Sequence, residues 1–223
     1  MGPFEAFYQS PYQHPIALWL AAGVAGAYAL TRRGLDPSLR RYCRVLVSLS
    51  LADAWLTAHH VYGVGQLPHA LGSALPLCFV LAGDYRYLLL LGAARAGGAF
   101  VLDARRALAA AALTLVVPLF SQAVMSALPD GLGSDRVLFL VYELAFVGLV
   151  LALMRWHPGH ALAWTRPVSR FVMLYYALWA GADAILLGTG SDLGFALRVV
   201  PNALYYGGLI AVIAWAGSRS ADA

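Results

Sequence analysis

The sequence contains no lysine, and charged residues of all kinds make up only 12% of its 223 positions. An ordinary soluble domain carries about 25% charged residues, so this chain has too few to cover a surface that faces water. Hydrophobic residues make up 61% of the chain, and its mean hydropathy is +0.70. The composition therefore predicts an integral membrane protein in contact with a lipid bilayer.

Cysteine is also scarce, since the chain has only Cys43 and Cys78, both within or at the edge of apolar stretches. Two thiols make neither a disulfide framework nor a metal site. Sequence patterns of serine hydrolases, phosphate-binding loops, dinucleotide-binding folds and haem attachment are all missing. The first fifteen residues lack the basic stretch of a cleavable signal peptide. We therefore expect no cofactor, no metal and no cleaved leader.

Apolar runs dominate what is present. A bilayer core of about 30 Å needs about 20 apolar residues per helix, and turn-forming residues separate most of the stretches that reach this length. We therefore predict an all-α polytopic protein whose residues 1–223 form a single transmembrane domain with seven transmembrane helices. The predicted helices cover approximately 15–31, 43–63, 69–93, 107–127, 137–155, 170–188 and 193–216.

The arginines indicate the orientation of these helices. Twelve arginines fall in the loops and tail on one side of the predicted membrane, and only Arg136 falls in the loops on the other side. Loops rich in arginine stay in the cytoplasm, so the N-terminus is expected outside and the C-terminus in the cytoplasm. The same bias explains the net charge of +4 without a nucleic-acid partner. The expected location is the cell inner membrane or the plasma membrane.

The third stretch carries two charges inside its apolar run, Asp84 and Arg86. A turn at this point would move Arg105 and Arg106 to the outer side, against the arginine bias, so we predict one long helix. Running inward from His69, this helix places Arg86 about 25 Å along its axis at 1.5 Å per residue. We therefore expect Arg86 to extend to the cytoplasmic interface and Asp84 to point into the helix bundle.

The second and sixth stretches resemble each other. Aligning Asp53 with Asp183 also superposes Arg40 on Arg170, and LGSAL at 71–75 then finds a partner in LGFAL at 193–197. This order of matches predicts a duplicated three-helix unit. The alternative is coincidence, since sequences rich in alanine and leucine match one another easily.

A duplication of this kind predicts a 3+1+3 arrangement with two parallel three-helix repeats. The first repeat would cover about 15–93, a linker helix about 107–127, and the second repeat about 137–216. Parallel repeats place a binding site near the midplane between the halves. The layout is similar to that of SWEET sugar transporters, PnuC-type vitamin transporters and microbial rhodopsins, although the residue motifs of those families are missing. Without a lysine, the chain cannot hold retinal as a Schiff base.

Ionisable side chains inside a membrane bundle are costly and often functional. Those in the predicted helices are Asp53, Asp84, Glu143, Asp183 and Arg198. The three aspartates are also the candidates for acid catalysis. The alternative is that Arg198 pairs with Asp183 or Glu143 and only holds helices together.

Aromatic and amide side chains occur on the same helices as these acids, and Pro201 interrupts the last helix. A few polar groups in an apolar, aromatic environment are typical of a small-molecule site, although tyrosine and tryptophan also gather at membrane interfaces. The predicted ligand-binding set is Asp53, Trp55, Asp84, Glu143, Tyr176, Trp179, Asp183, Arg198, Asn202 and Tyr206.

Two functions fit this set. The first is a transporter or binder of a small organic solute, proton-coupled through Asp53 or Asp84. The second is an intramembrane enzyme acting on a lipid or isoprenoid, similar to small seven-helix terpene cyclases. The chain departs from that family because its second helix reads LADAWL instead of Asn-x-x-Trp-Glu, and its seventh helix has no acid. A sensory or scaffold role remains a third reading, and the sequence leaves the oligomeric state open.

Overall fold

The computed structural model describes residues 1–58, 69–129 and 133–220, with the side chains of 69–77 left out. Regular secondary structure in these ranges is helical. A short helix and seven long ones follow one another, joined in two places by short 3₁₀ turns at Ala96–Gly98 and Pro158–Ala161. The helices are α1 (Pro3–Tyr8), α2 (Tyr12–Thr31), α3 (Pro37–Leu56), α4 (His69–Ala93), α5 (Ala104–Ala127), α6 (Asp135–Trp156), α7 (Thr165–Thr189) and α8 (Leu193–Arg219).

Five of these helices, α2, α5, α6, α7 and α8, are long and apolar enough to cross a membrane. The protein is therefore an all-α membrane protein of the multi-pass kind. Helix α3 is more polar because three arginines and Asp53 lie along it. The predicted helix boundaries agree with the structure to within a few residues at most ends. The end of the second predicted stretch, at 59–63, lies outside the described residues.

Polar residues just before the helices set where three of them begin. The Asp36 carboxylate accepts hydrogen bonds from the Ser38 amide and hydroxyl, and Pro37 takes the first helical position of α3. Asp103 caps α5 and Ser134 caps α6 in the same way. Each cap satisfies an amide that the first turn of a helix leaves without a partner.

The long helices form a closed ring in which each packs on the next along the chain, and α8 returns to pack on α2 and α3. Helix α8 is the most deeply buried of the five apolar helices. In its most apolar stretch of 18 residues 56% of the residues are buried, against 33% or less in the other four helices. Gly207 lies so close to the α2 backbone that a Cβ there would meet the Ala21 carbonyl. Since α8 is central, its side chains are positioned to join the others.

One end of the bundle, here called the arginine-rich end, is closed by the loop between α4 and α5. Two backbone hydrogen bonds of 2.9 Å tie this loop into a hairpin-like turn, with Gly97 and Gly98 at positive φ. The Phe100 ring stacks on Tyr42 at 4.4 Å, and the Trp164 indole donates to the Arg95 carbonyl at 3.0 Å. This closure combines backbone, aromatic and polar contacts.

The opposite end, here called the α1 end, is covered by the short helix α1. The amides of Phe4 and Glu5 donate to the Asp192 carboxylate at 2.8 and 2.9 Å. At the other end of α1, the Tyr8 ring packs against Phe195 with centroids 5.7 Å apart. Helix α1 therefore lies over the start of α8.

Candidate functional site

Arg86 lies in the middle of the bundle and is 3% exposed. Its guanidinium lies over the Tyr205 ring, 3.9 Å from the centroid, and donates to the Tyr205 carbonyl at 2.6 Å and to the Ser50 hydroxyl at 3.3 Å. Tyr205 is thirteenth of the 27 residues of α8. The guanidinium is therefore at mid-height, where helices α3, α4 and α8 meet.

The expectation that Arg86 extends to the membrane interface is wrong. Side chains on a helix lean toward its N-terminus, and α4 begins at the α1 end. The arginine therefore reaches back into the bundle, away from the nearer, arginine-rich end. Its partner Ser50 lies about 20 Å along α3 from Pro37, at 1.5 Å per residue.

Asp84 is 1% exposed and lies on the same helix as Arg86. Its two carboxylate oxygens each accept a hydrogen bond from a tyrosine hydroxyl, one from Tyr142 on α6 and one from Tyr176 on α7. This confirms the expected inward orientation of Asp84. Because an ionised carboxylate only accepts hydrogen bonds, two hydroxyl donors fit Asp84 in its ionised form.

Asp53 lies near the end of α3 and is also buried. Its oxygen Oδ1 is 3.4 Å from the Thr57 hydroxyl, and the Tyr206 side chain hydrogen-bonds it as well. The single Thr57 proton is directed to the Asp53 backbone carbonyl at 2.7 Å. If the Asp53 carboxyl carries a proton, the Thr57 oxygen can accept it. The same oxygen lies 3.0 Å from His14 Nε2.

These residues form what we call the central network: Ser50, Asp53, Asp84, Arg86, Tyr142, Tyr176, Tyr205 and Tyr206. Arg86 interacts electrostatically with both Asp53 and Asp84. Among the described residues neither acid forms a direct ion pair with it, and its Nε has no hydrogen-bond partner. One buried cation thus lies near two buried acids, and each acid is hydrogen-bonded by other side chains.

A second group, the distal network, lies nearer the α1 end and comprises Tyr8, Arg136, Glu143, Asp183, Arg198 and Asn202. Arg198 pairs with Asp183 and lies 3.7 Å from Glu143. Arg136 approaches Asp183 at 3.4 Å. The predicted pairing of Arg198 with Asp183 or Glu143 is therefore present, with Asp183 as the nearer partner. One oxygen of each acid, Asp183 Oδ2 and Glu143 Oε2, is buried without a hydrogen-bond partner in the described part of the chain.

Trp179 and Tyr205 connect the two networks. The Trp179 indole donates to the Asn202 amide oxygen at 2.9 Å. Its ring also packs against Tyr205, with centroids 5.3 Å apart, and Tyr205 covers Arg86. A shift of Asn202 or Trp179 would therefore change the packing of Tyr205 on the Arg86 guanidinium.

The predicted set of ligand-binding residues divides between these networks. Asp53, Asp84, Tyr176 and Tyr206 lie in the central network, and Glu143, Asp183, Arg198 and Asn202 lie in the distal one. Trp179 joins them, but Trp55 is 52% exposed on the outer surface, beside Trp19. The three candidate acids therefore do not converge on one point.

The side chains of the central network contact one another directly. Two open surface grooves, of about 590 and 710 Å³, are lined by other residues: one runs between α2 and α8 and the other lies near the end of α6. Both grooves therefore lie outside the two networks.

Sequence reasoning missed several residues that contact these networks, namely Tyr8, His14, Ser50, Thr57 and Tyr142, and it assigned Arg86 to the interface. Tyr142 precedes Glu143 in the same helix, and its hydroxyl made it a candidate partner for a buried acid. The lean of side chains along α4 would have placed Arg86 correctly. Thr57 lies one turn after Asp53, at the spacing that lets a hydroxyl reach that residue's carbonyl.

A third polar chain starts at the arginine-rich end. His160 is 4% exposed, and its ring lies 3.5 Å from the Ser169 hydroxyl, which accepts a hydrogen bond of 3.0 Å from Tyr87. Burial, with smaller contributions from the charges of His157 and Arg166, lowers the pKa of His160 to about 4. The ring is therefore neutral at physiological pH.

Comparison of the chain with protein-family models, with curated proteins and with solved structures finds no match.

Proposed function

We propose that this protein is a seven-helix transporter that binds a small organic solute in its bundle and couples its movement to a proton on Asp53. Helices α2 to α8 are the seven crossings, with α4 and α3 accepted as crossings because they close the ring of apolar helices. The arginine distribution supports an outer N-terminus and a cytoplasmic C-terminus. A 3+1+3 pair of repeats agrees with this count.

The observation that carries the proposal is the central network, where one buried arginine faces two buried acids. With both acids ionised, this network would hold a net negative charge inside the bundle, which is strongly unfavourable. One acid is therefore expected to carry a proton. Asp84 accepts a tyrosine hydroxyl at each of its two oxygens, whereas Asp53 has one tyrosine partner, Tyr206, and at Oδ1 a threonine oxygen able to accept, so we assign the proton to Asp53.

The contacts of Asp53 supply a route for that proton. From Asp53 the hydrogen-bonded chain continues to Thr57 and then to His14 near the start of α2. Histidine readily accepts and releases protons near neutral pH. Once the Thr57 hydroxyl turns from the Asp53 backbone carbonyl to His14, it can pass its own proton to the ring while it accepts one from the Asp53 carboxyl, so a proton moves toward the α1 end without crossing the centre of the bundle.

Unpartnered polar atoms support a solute site at the α1 end. Gln13 is 1% exposed, and in the described ranges neither its amide nitrogen nor its amide oxygen forms a hydrogen bond. Glu143 and Asp183 each have one carboxylate oxygen without a hydrogen-bond partner in the same ranges. Buried polar groups are normally paired, so these atoms are suited to contact a polar solute. Trp179 and Tyr205 would transmit its presence to the central network.

The experiment that tests this proposal is solute-driven proton movement in proteoliposomes that contain a pH-sensitive dye. Pools of amino acids, sugars, amines and organic acids are applied outside without an imposed pH gradient. We expect at least one pool to drive a proton flux that Asp53→Asn abolishes and that the control variant Asp135→Asn, at an exposed acid, retains. No flux with any pool, or equal flux in Asp53→Asn, would refute the proposal.

Nothing in the described residues favours the isoprenoid-cyclase alternative in the same way. Asp53 and Asp84 are held by threonine and tyrosine side chains.

A further inference from the structure

Arg136 is held more loosely than the other arginine of the distal network. Its side chain is 35% exposed, and it reaches the Asp183 carboxylate through one contact of 3.4 Å. Its guanidinium lies over the Phe195 ring, 5.0 Å from the centroid. Arg198, by contrast, is 11% exposed and contacts both acids as well as Tyr8. Arg136 therefore occupies the mouth of the network as a tethered cation.

The charges of the distal network balance only when Arg136 is present. When both acids are ionised, Glu143 and Asp183 supply two negative charges, and Arg198 and Arg136 supply two positive ones. An anion added here would leave an uncompensated buried charge, which is costly. A monovalent cation that takes the place of Arg136 would keep the network neutral.

The unpartnered oxygens specify what kind of cation fits. Asp183 Oδ2 and Glu143 Oε2 are hydrogen-bond acceptors without donors in the described residues. A ligand with N–H groups would satisfy them, whereas a fully alkylated cation would not. The Phe195 ring, which now faces the Arg136 guanidinium, would contribute cation–π attraction to either.

We infer that the distal network binds a small organic cation with N–H donors, an alkylammonium or alkylguanidinium ion, which displaces Arg136. This inference rests on the proposed solute site and names the chemical class of its solute. Helix α1 covers the site through Tyr8, which hydrogen-bonds Arg198 and Asn202 at 3.4 Å each. Entry from the α1 end would therefore break these long contacts, the packing of the Tyr8 ring on Phe195 and the hydrogen bonds of the α1 amides to Asp192.

The test uses methylguanidinium as the probe and the purified full-length protein, with binding followed by calorimetry. Removing the tethered competitor in Arg136→Ala should tighten binding by about tenfold or more. Asp183→Asn should abolish binding, because the probe loses both its countercharge and an acceptor. Tetramethylammonium, which has the same charge but no N–H group, should bind at least about tenfold more weakly than methylguanidinium.

Loss of Arg136 also removes a structural ion pair, so the variant is tested for rescue as well. If Arg136→Ala lowers the melting temperature, millimolar methylguanidinium should restore it, whereas tetramethylammonium should not. The control variant Arg105→Ala, at an exposed arginine of the other end, should show no such response. Absence of both tighter binding and selective rescue would overturn the inference.

This outcome is distinguishable from failure of the transport proposal. Calorimetry and thermal rescue measure binding without any proton flux. If an uncharged or anionic solute drives an Asp53-dependent flux while methylguanidinium does not bind, the inference fails and the transport proposal stands. If methylguanidinium binds with the expected pattern but no pool drives proton flux, the inference stands and proton-coupled transport fails.

Discussion

Replacing Arg86 by methionine should destabilise the protein more than any substitution at a surface arginine. The change removes a cation that contacts Tyr205 and Ser50 and lies between Asp53 and Asp84, but it leaves the apolar stem nearly unchanged in volume. Each hydrogen bond from a charged group contributes about 1.5–3 kcal/mol, and a desolvated cation–π contact contributes about 2 kcal/mol. Part of this is offset because the cation no longer needs to be buried.

Breaking a buried charge pair from one side typically costs about 3–5 kcal/mol, and we expect a loss of that size. For a chain of this length, about 2–4 °C of melting temperature is lost per kcal/mol, so the expected decrease is about 6–20 °C. Thermal unfolding in detergent, followed by circular dichroism at constant protein concentration, measures it. The matched control is Arg44→Met, an exposed arginine of α3, which should change stability by about 0.5 kcal/mol or less.

A double-mutant cycle separates the charge from the packing. Adding Asp84→Asn to Arg86→Met removes the carboxylate that has lost its cation, so the combined loss should be smaller than the sum by about 1 kcal/mol or more. If Arg86→Met behaves like Arg44→Met, the guanidinium does not lie in the core and the central network does not exist as described.

Three further predictions concern single residues. Asp53→Asn should cost about 1 kcal/mol or less, since asparagine resembles a protonated carboxyl. Asp84→Asn should cost about 2–3 kcal/mol, because the asparagine amide has one acceptor oxygen for two buried tyrosine hydroxyls. Chemical denaturation of the two variants side by side tests this contrast, and equal losses would contradict it. Because the pKa of His160 is about 4 when folded and about 6.5 when unfolded, the unfolded chain binds more protons between these values, so stability should fall as the pH is lowered through that window. His160→Asn should flatten this part of a melting-temperature profile against pH, and an unchanged slope would show that other groups cause it. Gly83→Ala should cost about 1–3 kcal/mol, because a Cβ there would overlap the tyrosine ring that covers the arginine; Gly92→Ala, where the Cβ meets open space, should be tolerated, and equal tolerance of both would mean that α4 and α8 are not in close contact.

The sequence was sufficient to predict the class of fold, because apolar stretches of membrane length and the residues that separate them are local features. Asp36 before Pro37 illustrates this, since a cap and a proline mark the start of α3 within two residues. The inward orientation of Asp84 also followed from its position in an apolar run. The duplication of three helices, the membrane that contains the protein and its orientation remain predictions.

The environment of the charged residues could not be predicted in the same way, because it depends on which distant helices meet. Arg86 was assigned to the interface by its depth alone, whereas its partners Ser50 and Tyr205 come from helices 36 and 119 residues away along the chain. Trp55 was grouped with Asp53 because both lie on α3. Two residues along a helix are about 200° apart around its axis, so one side chain faces the core and the other faces outward.

The most direct test of the account is infrared spectroscopy of the carboxyl groups in the membrane-embedded protein at neutral pH. A protonated carboxyl has a C=O stretching band that an ionised one lacks. The account predicts such a band in the unmodified protein and its loss in Asp53→Asn, where Asp84 stays ionised beside Arg86. A spectrum with no protonated carboxyl at all, or a band that disappears with Asp84 and not with Asp53, would contradict it.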